Sequence, residues 1–489
     1  MLLYKYNKFD RDFMGPTNTS LALRTSSRDA LPWLAAMAFF MQLLDTTILN
    51  TALPAMAADL HRSPLAMQST IISYALTVAL LIPISSWLAD RFGTRRVFTL
   101  SVLLFSLGSL LCALSTSLPM LVTMRVVQGV GGAMMMPVAR LVLLKVYTRT
   151  EFLAAMSLVS MPALIGPVLG PLLGGWLVTV ASWHWIFLIN LPVGALGIYM
   201  AQRVMPELRA EPGRFDLRGF ALFGGGLVAL SLGLDLLGER SVSLLSVLAS
   251  LAVGIGLLAG YLRHARLSAG ALFDLHLFQT RTFSIGFAGN LLCRLGTGGI
   301  SLLLPLMLQV ALGFSADLSG WMLAPVALAA MVVKPLIVKL IPRYGYRPLL
   351  LWTGLVTALS MQLFVLFGAA TSLWWFLPPL MLFGAANSMQ LTAMNSLTLG
   401  DLPARHTSMG NSLYSVAQQL SVSFGIAVSA SVLQLVKPAG VATGSALIPA
   451  FHDTFMLLAV LTLLSSSVFL RLRRDDGDVV PVRAHDCEH

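Results

Sequence analysis

The stretch Ser86-Trp-Leu-Ala-Asp-Arg-Phe-Gly-Thr-Arg-Arg96 lies between two apolar segments and is the most informative part of the chain. A degenerate copy, Val338-Lys-Leu-Ile-Pro-Arg-Tyr-Gly-Tyr-Arg-Pro348, follows 252 residues later in the same setting. A short basic turn between two apolar helices, present once in each half, predicts an internally duplicated membrane protein. The matched pairs are Arg91 with Arg343, Phe92 with Tyr344, Gly93 with Gly345 and Arg95 with Arg347.

The composition also predicts a membrane protein. Of the 489 residues, 57% are hydrophobic and only 11% are charged, and the mean hydropathy is +0.81. A soluble protein of this length could not keep so much apolar surface from water. The net charge of +11 comes from Lys and Arg in short turns between apolar runs, where they act as topology signals, so no nucleic acid partner is expected. Cys112, Cys293 and Cys487 have no disulfide or metal-site spacing, so no cofactor is expected either.

Apolar segments long enough to cross about 30 Å of hydrocarbon define the predicted spans. The mixed polar residues before Leu31 lack the apolar core of a cleavable signal peptide and predict a disordered tail. Fourteen spans are predicted, at 31–53, 69–89, 97–116, 119–141, 152–180, 183–203, 217–237, 243–263, 283–310, 318–340, 348–368, 373–398, 410–436 and 450–470.

The distribution of cations predicts the orientation. With fourteen spans, both termini share one side of the membrane, and that side carries 26 Lys and Arg residues. The other side carries three, namely Arg62, Arg240 and Lys437. Because cytoplasmic loops are enriched in Lys and Arg, both termini are predicted to be cytoplasmic.

The position of the repeat predicts how the spans are grouped. The loop between spans two and three matches the loop between spans ten and eleven, so span nine restarts the repeat and spans seven and eight are an insertion. The predicted fold is an all-α polytopic membrane protein arranged as six, two and six helices. Its parts are a tail (1–30), a first bundle (31–203), a linker with the inserted pair (204–282), a second bundle (283–470) and a second tail (471–489).

Several motifs resemble those of one family. The loop Ser86–Arg96 resembles the signature G-x-L-A-D-R-x-G-R-K of the major facilitator superfamily, with serine in place of the first glycine. Three others resemble motifs of its fourteen-span drug:proton antiporter family: Leu44-Asp-Thr-Thr-Ile-Leu-Asn-Thr-Ala-Leu-Pro54, Ser182-Trp-His-Trp-Ile-Phe-Leu-Ile-Asn190 and Phe215-Asp-Leu-Arg-Gly219. Arg125-Val-Val-Gln-Gly-Val-Gly-Gly-Ala133 resembles a motif found across facilitator exporters, and Gly166-Pro-Val-Leu-Gly-Pro-Leu-Leu-Gly-Gly175 resembles one associated with antiporters rather than importers.

This resemblance implies the major facilitator fold and a monomeric, proton-coupled exporter of small molecules in the bacterial inner membrane, with multidrug efflux as the expected activity. Its partners would be a small-molecule substrate, protons and membrane lipids. Two other classes are less well supported. An enzyme would need a nucleophile–base pair or metal cluster at membrane depth, and none is found in the sequence. A non-transporting sensor remains an alternative, although no signalling tail accompanies the spans.

Asp45 is the only acid well inside a predicted span. A carboxylate at that depth costs about 2.5–3.5 kcal/mol, so it should face protein or water. It lies nine residues from Pro54, or about 13 Å, and Arg125 lies at a similar depth in span four. The two can therefore pair, directly or through Gln128 or water. We predict that Asp45 carries the coupling proton and that Arg125 tunes it; the alternative is an ion pair that only holds spans one and four together.

Other polar residues at membrane depth are candidates for the substrate cavity. Arg294 lies too deep in span nine to reach an interface, and either bonds locally to Asn290 or meets an anionic substrate. The excess of buried cations over Asp45 supports a second alternative, an exporter of small organic anions or anionic metal chelates. The predicted cavity residues are Gln42, Thr46, Asn50, Gln128 and Arg294.

Two elements are candidates for gating. In the signature loop, Asp90 is expected to latch the halves together on the cytoplasmic side, with Arg91, Gly93 and Arg95; lipid anchoring is the alternative role of the cations. In span five, glycines spaced by four allow close backbone contact and prolines permit bending, although packing without gating is equally compatible. The span-five residues are Gly166, Pro167, Gly170, Pro171, Gly174 and Gly175.

Overall fold

The computed structural model describes residues 25–473 and 476, except 212, 214, 238–242, 269 and 439–442. The predicted tails lie largely outside these residues. The described chain is helical and contains no strand, as predicted for an all-α protein. Fourteen helices, α1 to α14, coincide in order with the fourteen predicted spans, and some of them are broken into consecutive segments.

The first seven helices are α1 (Thr25–Asp59), α2 (Gln68–Phe92), α3 (Thr94–Ala113), α4 (Leu118–Val146), α5 (Arg149–Val180), α6 (Trp185–Leu188 and Asn190–Val204) and α7 (Leu217–Leu237). The other seven are α8 (Leu244–Leu267), α9 (Arg281–Thr297 and Ile300–Leu306, then a π-helical turn Met307–Ala311), α10 (Ala316–Val332 and Lys334–Tyr344), α11 (Tyr346–Leu363), α12 (Leu373–Gly400), α13 (Ala404–Val436) and α14 (Ile448–Ser466). Several begin or end a turn or more outside the predicted spans, because a helix need not stop where the hydrocarbon does.

Hydropathy supports most of these helices as membrane spans. Among the described residues, twelve helices are long and apolar enough to cross a bilayer. The other two predicted spans correspond to α5, whose described apolar part covers Ile165–Val180, and to α12, a 28-residue helix with two prolines and two tryptophans near its start.

The packing of the helices reproduces the repeat expected from the two signature loops. In the first half, α1 packs on α5, α2 on α4, and α3 on both α4 and α6. In the second half, α9 packs on α13, α10 on α12, and α11 on both α12 and α14. These are the same pairings shifted by eight helices. The two six-helix bundles are therefore structural copies of each other.

The two bundles meet along two pairs of helices. Helix α5 packs on α10, and α2 packs on α13. The inserted helices α7 and α8 pack mainly on each other, and α7 also contacts α2 and α13. The pair therefore lies outside both bundles, beside one of the two seams between them. We call the side that carries the Lys/Arg-rich loops, the start of α1 and the end of α14 the basic face, and the opposite side the far face.

Asp216 fastens the inserted pair at the basic face. Its carboxylate accepts hydrogen bonds from the backbone amides of Gly219 (2.8 Å) and Leu272 (3.1 Å) and lies 2.8 Å from Nε2 of His264 at the end of α8. Burial raises the pKa of Asp216, but these hydrogen bonds together hold it below its usual value. The motif Phe215–Gly219 therefore joins the start of α7 to the loop after α8.

Glycines allow α3 and α4 to pack with their backbones in contact. A Cβ on Gly108 would lie 2.6 Å from the Cα of Gln128, and a Cβ on Gly131 would overlap the backbone of Ser101 and Phe105. Neither neighbour is a flexible side chain that could move away. Small residues at such crossings permit close helix packing in a membrane, where dispersion contacts drive association.

We expect Gly131→Ala to destabilise the first bundle, because the added methyl group must push α3 and α4 apart. Overpacking of this kind costs about 1–3 kcal/mol. Thermal unfolding of the purified protein in detergent should show a lower Tm. Gly256→Ala on α8 is the matched control, since its Cβ would meet no atom within 4 Å, and it should leave the Tm unchanged or raise it. Equal Tm shifts in the two variants would contradict this account of the α3–α4 contact.

Candidate functional site

An ion pair lies at the centre of the first bundle. Nη1 of Arg125 on α4 is 2.8 Å from Oδ2 of Asp45 on α1, and both side chains are only 1% exposed. This confirms the pairing expected from their similar depths. A buried charge without a partner is strongly unfavourable, and here each side chain faces the opposite charge of the other.

Neighbouring helices supply further hydrogen bonds to the pair. Gln128 accepts from Nη1 of Arg125 (2.6 Å) and donates to Oδ1 of Asp45 (2.8 Å), so one amide bridges both partners. The carbonyl of Thr70 on α2 accepts from Nε of Arg125 at 3.1 Å. Asn190 on α6 donates to Oδ1 of Asp45 at 3.4 Å. Four helices therefore hold the two charges in place.

Some of these contacts could not be assigned from sequence alone. The guanidinium carbon of Arg125 lies 4.3 Å from the centre of the Tyr74 ring, and Ser109 on α3 accepts from Gln128 at 2.8 Å. Asn190 also donates to Ser109, at 3.2 Å. Asn190 ends the quoted motif Ser182–Asn190, which was its only signal in the sequence. Tyr74 and Ser109 carry no motif, and only the packing brings them to the site.

The motif Arg125–Ala133 places the pair and also makes room for it. A Cβ on Gly129 would lie 2.8 Å from the Cβ of Thr77, and one on Gly132 would lie 2.5 Å from the Tyr74 hydroxyl. These two glycines therefore let α2 approach α4 at the level of the ion pair. The spacing of the motif reflects two needs, namely polar groups toward α1 and bare backbone toward α2.

A separate cavity of about 720 Å³ lies between the two halves. Helices α1, α5, α9, α10, α12 and α13 line it, and it extends towards the basic face as far as Lys334. The described lining contains two cations, Arg294 and Lys334, and no carboxylate. Its other polar groups are amides and hydroxyls, including Asn50 and Asn387, whose buried Oδ1 atoms have no hydrogen-bond partner.

Arg294 is the central cation of this cavity. Its Nε donates to Oδ1 of Asn290 one turn earlier, at 3.0 Å. No ion pair with a described carboxylate neutralises it, in contrast to Arg125. Lys334 is exposed at the break between the two segments of α10, where Pro335 cannot continue the hydrogen-bond pattern. The cavity is therefore electropositive.

The predicted cavity residues divide between the two sites. Asn50 and Arg294 line the cavity. Thr46 is half-buried on the same stripe of α1, and its hydroxyl donates to the carbonyl of Leu43 at 3.0 Å. Gln42 and Gln128 are buried and belong to the bundle interior with Asp45. Helix α1 thus presents its ion-pair face to the bundle and its opposite face to the cavity.

The glycine stripe of α5 faces α1. A Cβ on Gly166 would lie 3.2 Å from the Cβ of Leu43, and Cβ atoms on Gly170 and Gly174 would overlap the hydroxyls of Thr47 and Thr51. The close backbone contact predicted from the spacing of four is therefore present, and its partner is the helix that carries Asp45. Pro167 and Pro171 line the central cavity.

Gly175 lies at the seam between the halves instead. A Cβ there would overlap the carbonyl of Ala316 at the start of α10, and one on Gly320 would overlap the carbonyl of Pro171. On the same side, Nε2 of Gln309 on α9 donates to the carbonyl of Thr51 on α1 at 3.0 Å. These backbone contacts close the far face of the cavity.

The signature loop contacts its own half. Asp90 pairs with Lys145 of α4 at 3.0 Å, and its carbonyl accepts from the amide of Ala210 in the linker after α6. Nε of Arg95 donates to the carbonyl of Met205 at 2.6 Å. Gly93 has φ +95°, and a Cβ there would overlap the carboxylate of Glu207.

The linker thus lies directly over the signature loop. Any side chain at position 93 would overlap it, which explains why Gly93 is a glycine. Arg91 stacks near Trp87, with its guanidinium carbon 5.2 Å from the ring centre. In this conformation the predicted latch residues bind the first half and its linker. At the start of α13, Gly410 lies close to Leu402.

Comparison with known sequences identifies relatives along nearly the whole chain. The family model of the Major Facilitator Superfamily matches residues 35–426 and 286–485. "Probable transport protein HsrA" of Haemophilus influenzae is 44% identical over 448 residues, covering 92% of this chain and 96% of that protein. "Putative multidrug resistance protein MdtD" of Pectobacterium atrosepticum is 45% identical over 448 residues, covering 91% and 95%. The MdtD protein of Cronobacter sakazakii is 46% identical over 451 residues, covering 91% and 94%.

Solved structures share the fold at low sequence identity. A POT family transporter in complex with 5-aminolevulinic acid is 17% identical, with a TM-score of 0.67 over 90% of this chain and 95% of that one. The nucleoside transporter NupG is 12% identical, with a TM-score of 0.62 over 90% and 99%. This chain therefore belongs to the major facilitator superfamily, and it is a membrane transporter rather than an enzyme.

Proposed function

We propose that the protein is a monomeric antiporter that exports small molecules across a bacterial inner membrane in exchange for protons, with its basic face in the cytoplasm. The names of the MdtD relatives support multidrug efflux as the activity. The cavity is closed at the far face and extends towards the basic face. The protein in this conformation would receive a substrate from the cytoplasm.

The buried Asp45–Arg125 pair is the observation that carries this proposal. A carboxylate in the hydrocarbon region is costly, and ionisable residues at this depth often mark proton or ion pathways. Asp45 lies on α1, which also lines the cavity, so a change in the charge of Asp45 can affect the cavity. A packing role alone would not require a charge, because buried ion pairs are often replaceable by apolar residues at no loss of stability.

The contacts suggest how protonation is coupled to movement. A proton on Asp45 removes the charge that Arg125 faces and leaves the guanidinium with only the neutral acceptors Gln128 and Thr70. A buried cation in that situation favours a rearrangement that restores a partner or admits water. Helix α1 is locked to the glycine stripe of α5, and α5 packs on α10. Movement of α1 would therefore reach the seam between the halves.

The energy available is sufficient without ATP. At a membrane potential of about 100 mV, one net charge moved per cycle corresponds to about 2.3 kcal/mol, or roughly a forty-fold concentration ratio.

On closure of the basic face we expect Asp90 to leave Lys145 and contact the second half, which is the latch role inferred from the signature loop.

Asp45→Asn should abolish proton-driven transport while preserving substrate exchange. Asparagine keeps the shape of the side chain but cannot carry a proton on and off, so the driving force no longer acts. In proteoliposomes with an imposed pH gradient, the wild type should accumulate ethidium and the variant should not. Equilibrium exchange of ethidium without a gradient should persist in the variant within about threefold.

Asp59→Asn is the matched control for this experiment. Asp59 lies at the far-face end of the same helix, where it accepts a hydrogen bond from Trp183, and its replacement should leave gradient-driven accumulation intact. Concentrative uptake by correctly folded Asp45→Asn protein would exclude Asp45 as the proton carrier.

Gly175→Ala should open the far face. The added methyl group overlaps the carbonyl of Ala316, which cannot move without shifting α10, so the conformation closed at the far face is disfavoured. With Ser301→Cys as a reporter in the cavity and Cys487 replaced by serine, labelling by a membrane-impermeant maleimide from the far face should rise several-fold. Gly256→Ala in the same background should not change it; unchanged labelling in the Gly175 variant would show that this contact is no gate.

A second candidate substrate class is favoured by the charges of the cavity. Arg294 and Lys334 face it without a carboxylate among the described lining residues. Such a site attracts anions and repels the lipophilic cations typical of multidrug exporters. Small organic anions or anionic metal chelates are therefore the alternative cargo of the same antiport cycle.

Arg294→Gln decides between the two substrate classes. If anions are the cargo, losing a charge-assisted hydrogen bond should weaken their binding about ten- to a hundred-fold, with no loss for cationic dyes. Binding to the purified protein by calorimetry, with citrate and ethidium as probes, measures both. Arg266→Gln on the exposed end of α8 controls for net charge. Weaker ethidium binding with unchanged citrate binding would contradict the anion hypothesis.

A further inference from the structure

The second copy of the signature loop differs from the first in the charge that surrounds it. Lys339, Arg343 and Arg347 lie within nine residues at the basic-face ends of α10 and α11, and Pro342 replaces the acid. None of these three cations forms an ion pair with a described carboxylate. Lys339 and Arg343 are exposed, and Arg347 is half-buried.

The first copy, by contrast, has an acid of its own and lies beneath the linker of its own half. Asp90 pairs with Lys145, and Glu207 of the linker lies 3.8 Å from Arg96 and 3.7 Å from Arg209. By the repeat, the counterpart of this linker is the segment after α14. Of that segment the structure describes residues 467–473 and 476, and its carboxylate, Asp476, pairs with Arg281 at 3.2 Å rather than with these cations. Among the described residues, no carboxylate pairs with Lys339, Arg343 or Arg347, and the last two are the counterparts of Arg91 and Arg95.

An apolar groove begins beside these cations. It has a volume of about 490 Å³ and runs between α10, α11 and α12. On α12 it uses Leu382, Ala386 and Met389, whereas Phe383 and Asn387 line the central cavity. The groove therefore lies on the other face of α12 and opens to the outside of the bundle.

The depth of the groove matches one leaflet of a bilayer. Its lining on α11 extends from Pro348 to Val356. Val356 is ten residues from the start of α11, or about 15 Å, which is half of a hydrocarbon core of about 30 Å. Trp352 and Tyr344 stand at its edge with exposures of 63% and 55%. Exposed aromatic residues at this level are typical of the boundary between headgroups and acyl chains.

We propose that this groove and the loop between α10 and α11 form a binding site for one anionic phospholipid from the basic-face leaflet. The acyl chain lies in the groove against Trp352 and Met389, and the phosphate is bound by Arg343 and Arg347 with Lys339 nearby. The occupant is a lipid because the groove is apolar, lies at hydrocarbon depth and ends at cations that pair with no carboxylate in the described part of the chain. The site is independent of the transported substrate.

A lipid bound here would brace a mobile part of the molecule. The groove joins the short second segment of α10, Lys334–Tyr344, to α11 and α12. The first segment of α10 forms the seam with α5 and lines the cavity. A lipid that holds the second segment therefore stabilises α10 at the break where Lys334 and Pro335 interrupt it.

The full-length protein, purified in detergent, is titrated with phosphatidylglycerol or phosphatidylcholine of the same acyl chains and examined by native mass spectrometry and thermal unfolding. The wild type should retain one phosphatidylglycerol and show a higher Tm with it than with phosphatidylcholine. Replacing Lys339, Arg343 and Arg347 by glutamine should weaken phosphatidylglycerol retention about a hundred-fold and leave phosphatidylcholine retention unchanged.

Ala385→Phe tests the groove separately, because the ring would fill the space beside Trp352 and should weaken retention of both lipids. The matched charge control replaces Arg218, Arg263 and Arg266 by glutamine at the basic-face ends of α7 and α8, and should retain phosphatidylglycerol like the wild type. Equal loss in this control would reduce the effect to non-specific attraction and overturn the proposal. Full retention of both lipids by the Ala385→Phe variant would also overturn the proposal. So would a dimer in the mass spectra that this variant abolishes, because a second copy of the protein would then occupy the groove.

Discussion

The contact between Asp45 and Arg125 is the constraint around which the first bundle is built. Two opposite charges at membrane depth are tolerable only if they meet and if their remaining hydrogen-bonding capacity is met by polar groups. Gln128, Asn190 and the Thr70 carbonyl meet it, from α4, α6 and α2. The bare backbone of Gly129 and Gly132 then allows α2 to close over the site. The spacing of a charged residue, an amide and several glycines on α4 thus follows from a single electrostatic requirement.

The buried ion pair and the cavity are different places, on opposite faces of one helix. Asp45 faces the interior of the first bundle, and Asn50, less than two turns further along α1, faces the space between the halves. Such a division lets a charge be neutralised without competition from substrate, provided that α1 transmits the change. The close fit of α1 against the glycines of α5 makes this transmission physically reasonable, because packed helix surfaces move as units rather than deforming. The electropositive cavity adds a constraint on what is carried.

The two copies of the repeat have diverged at their signature loops. At the first signature loop, Asp90 pairs with Lys145 and the linker residue Glu207 lies beside Arg96. At the second loop the acid is replaced by Pro342, and the cations face the membrane beside an apolar groove. The linker that leads from α6 to the inserted pair contributes to this asymmetry, since its residue Glu207 lies beside the first loop. The same repeat unit is therefore closed by protein in one half and left for lipid in the other.

The sequence alone determined the number and order of the helices, the repeat and the pairing of Asp45 with Arg125. These depend on local properties: apolar length, the recurrence of a loop and depth along a helix axis. Tertiary structure decided which way each side chain points once helices are packed. It placed Gln42 and Gln128 in the bundle rather than the cavity, turned Gly166, Gly170 and Gly174 towards α1, and joined Tyr74 and Ser109 to the ion pair. In a helix buried on nearly all sides the apolar pattern carries little information about direction, so rotation about the axis is set by long-range contacts that no local pattern encodes.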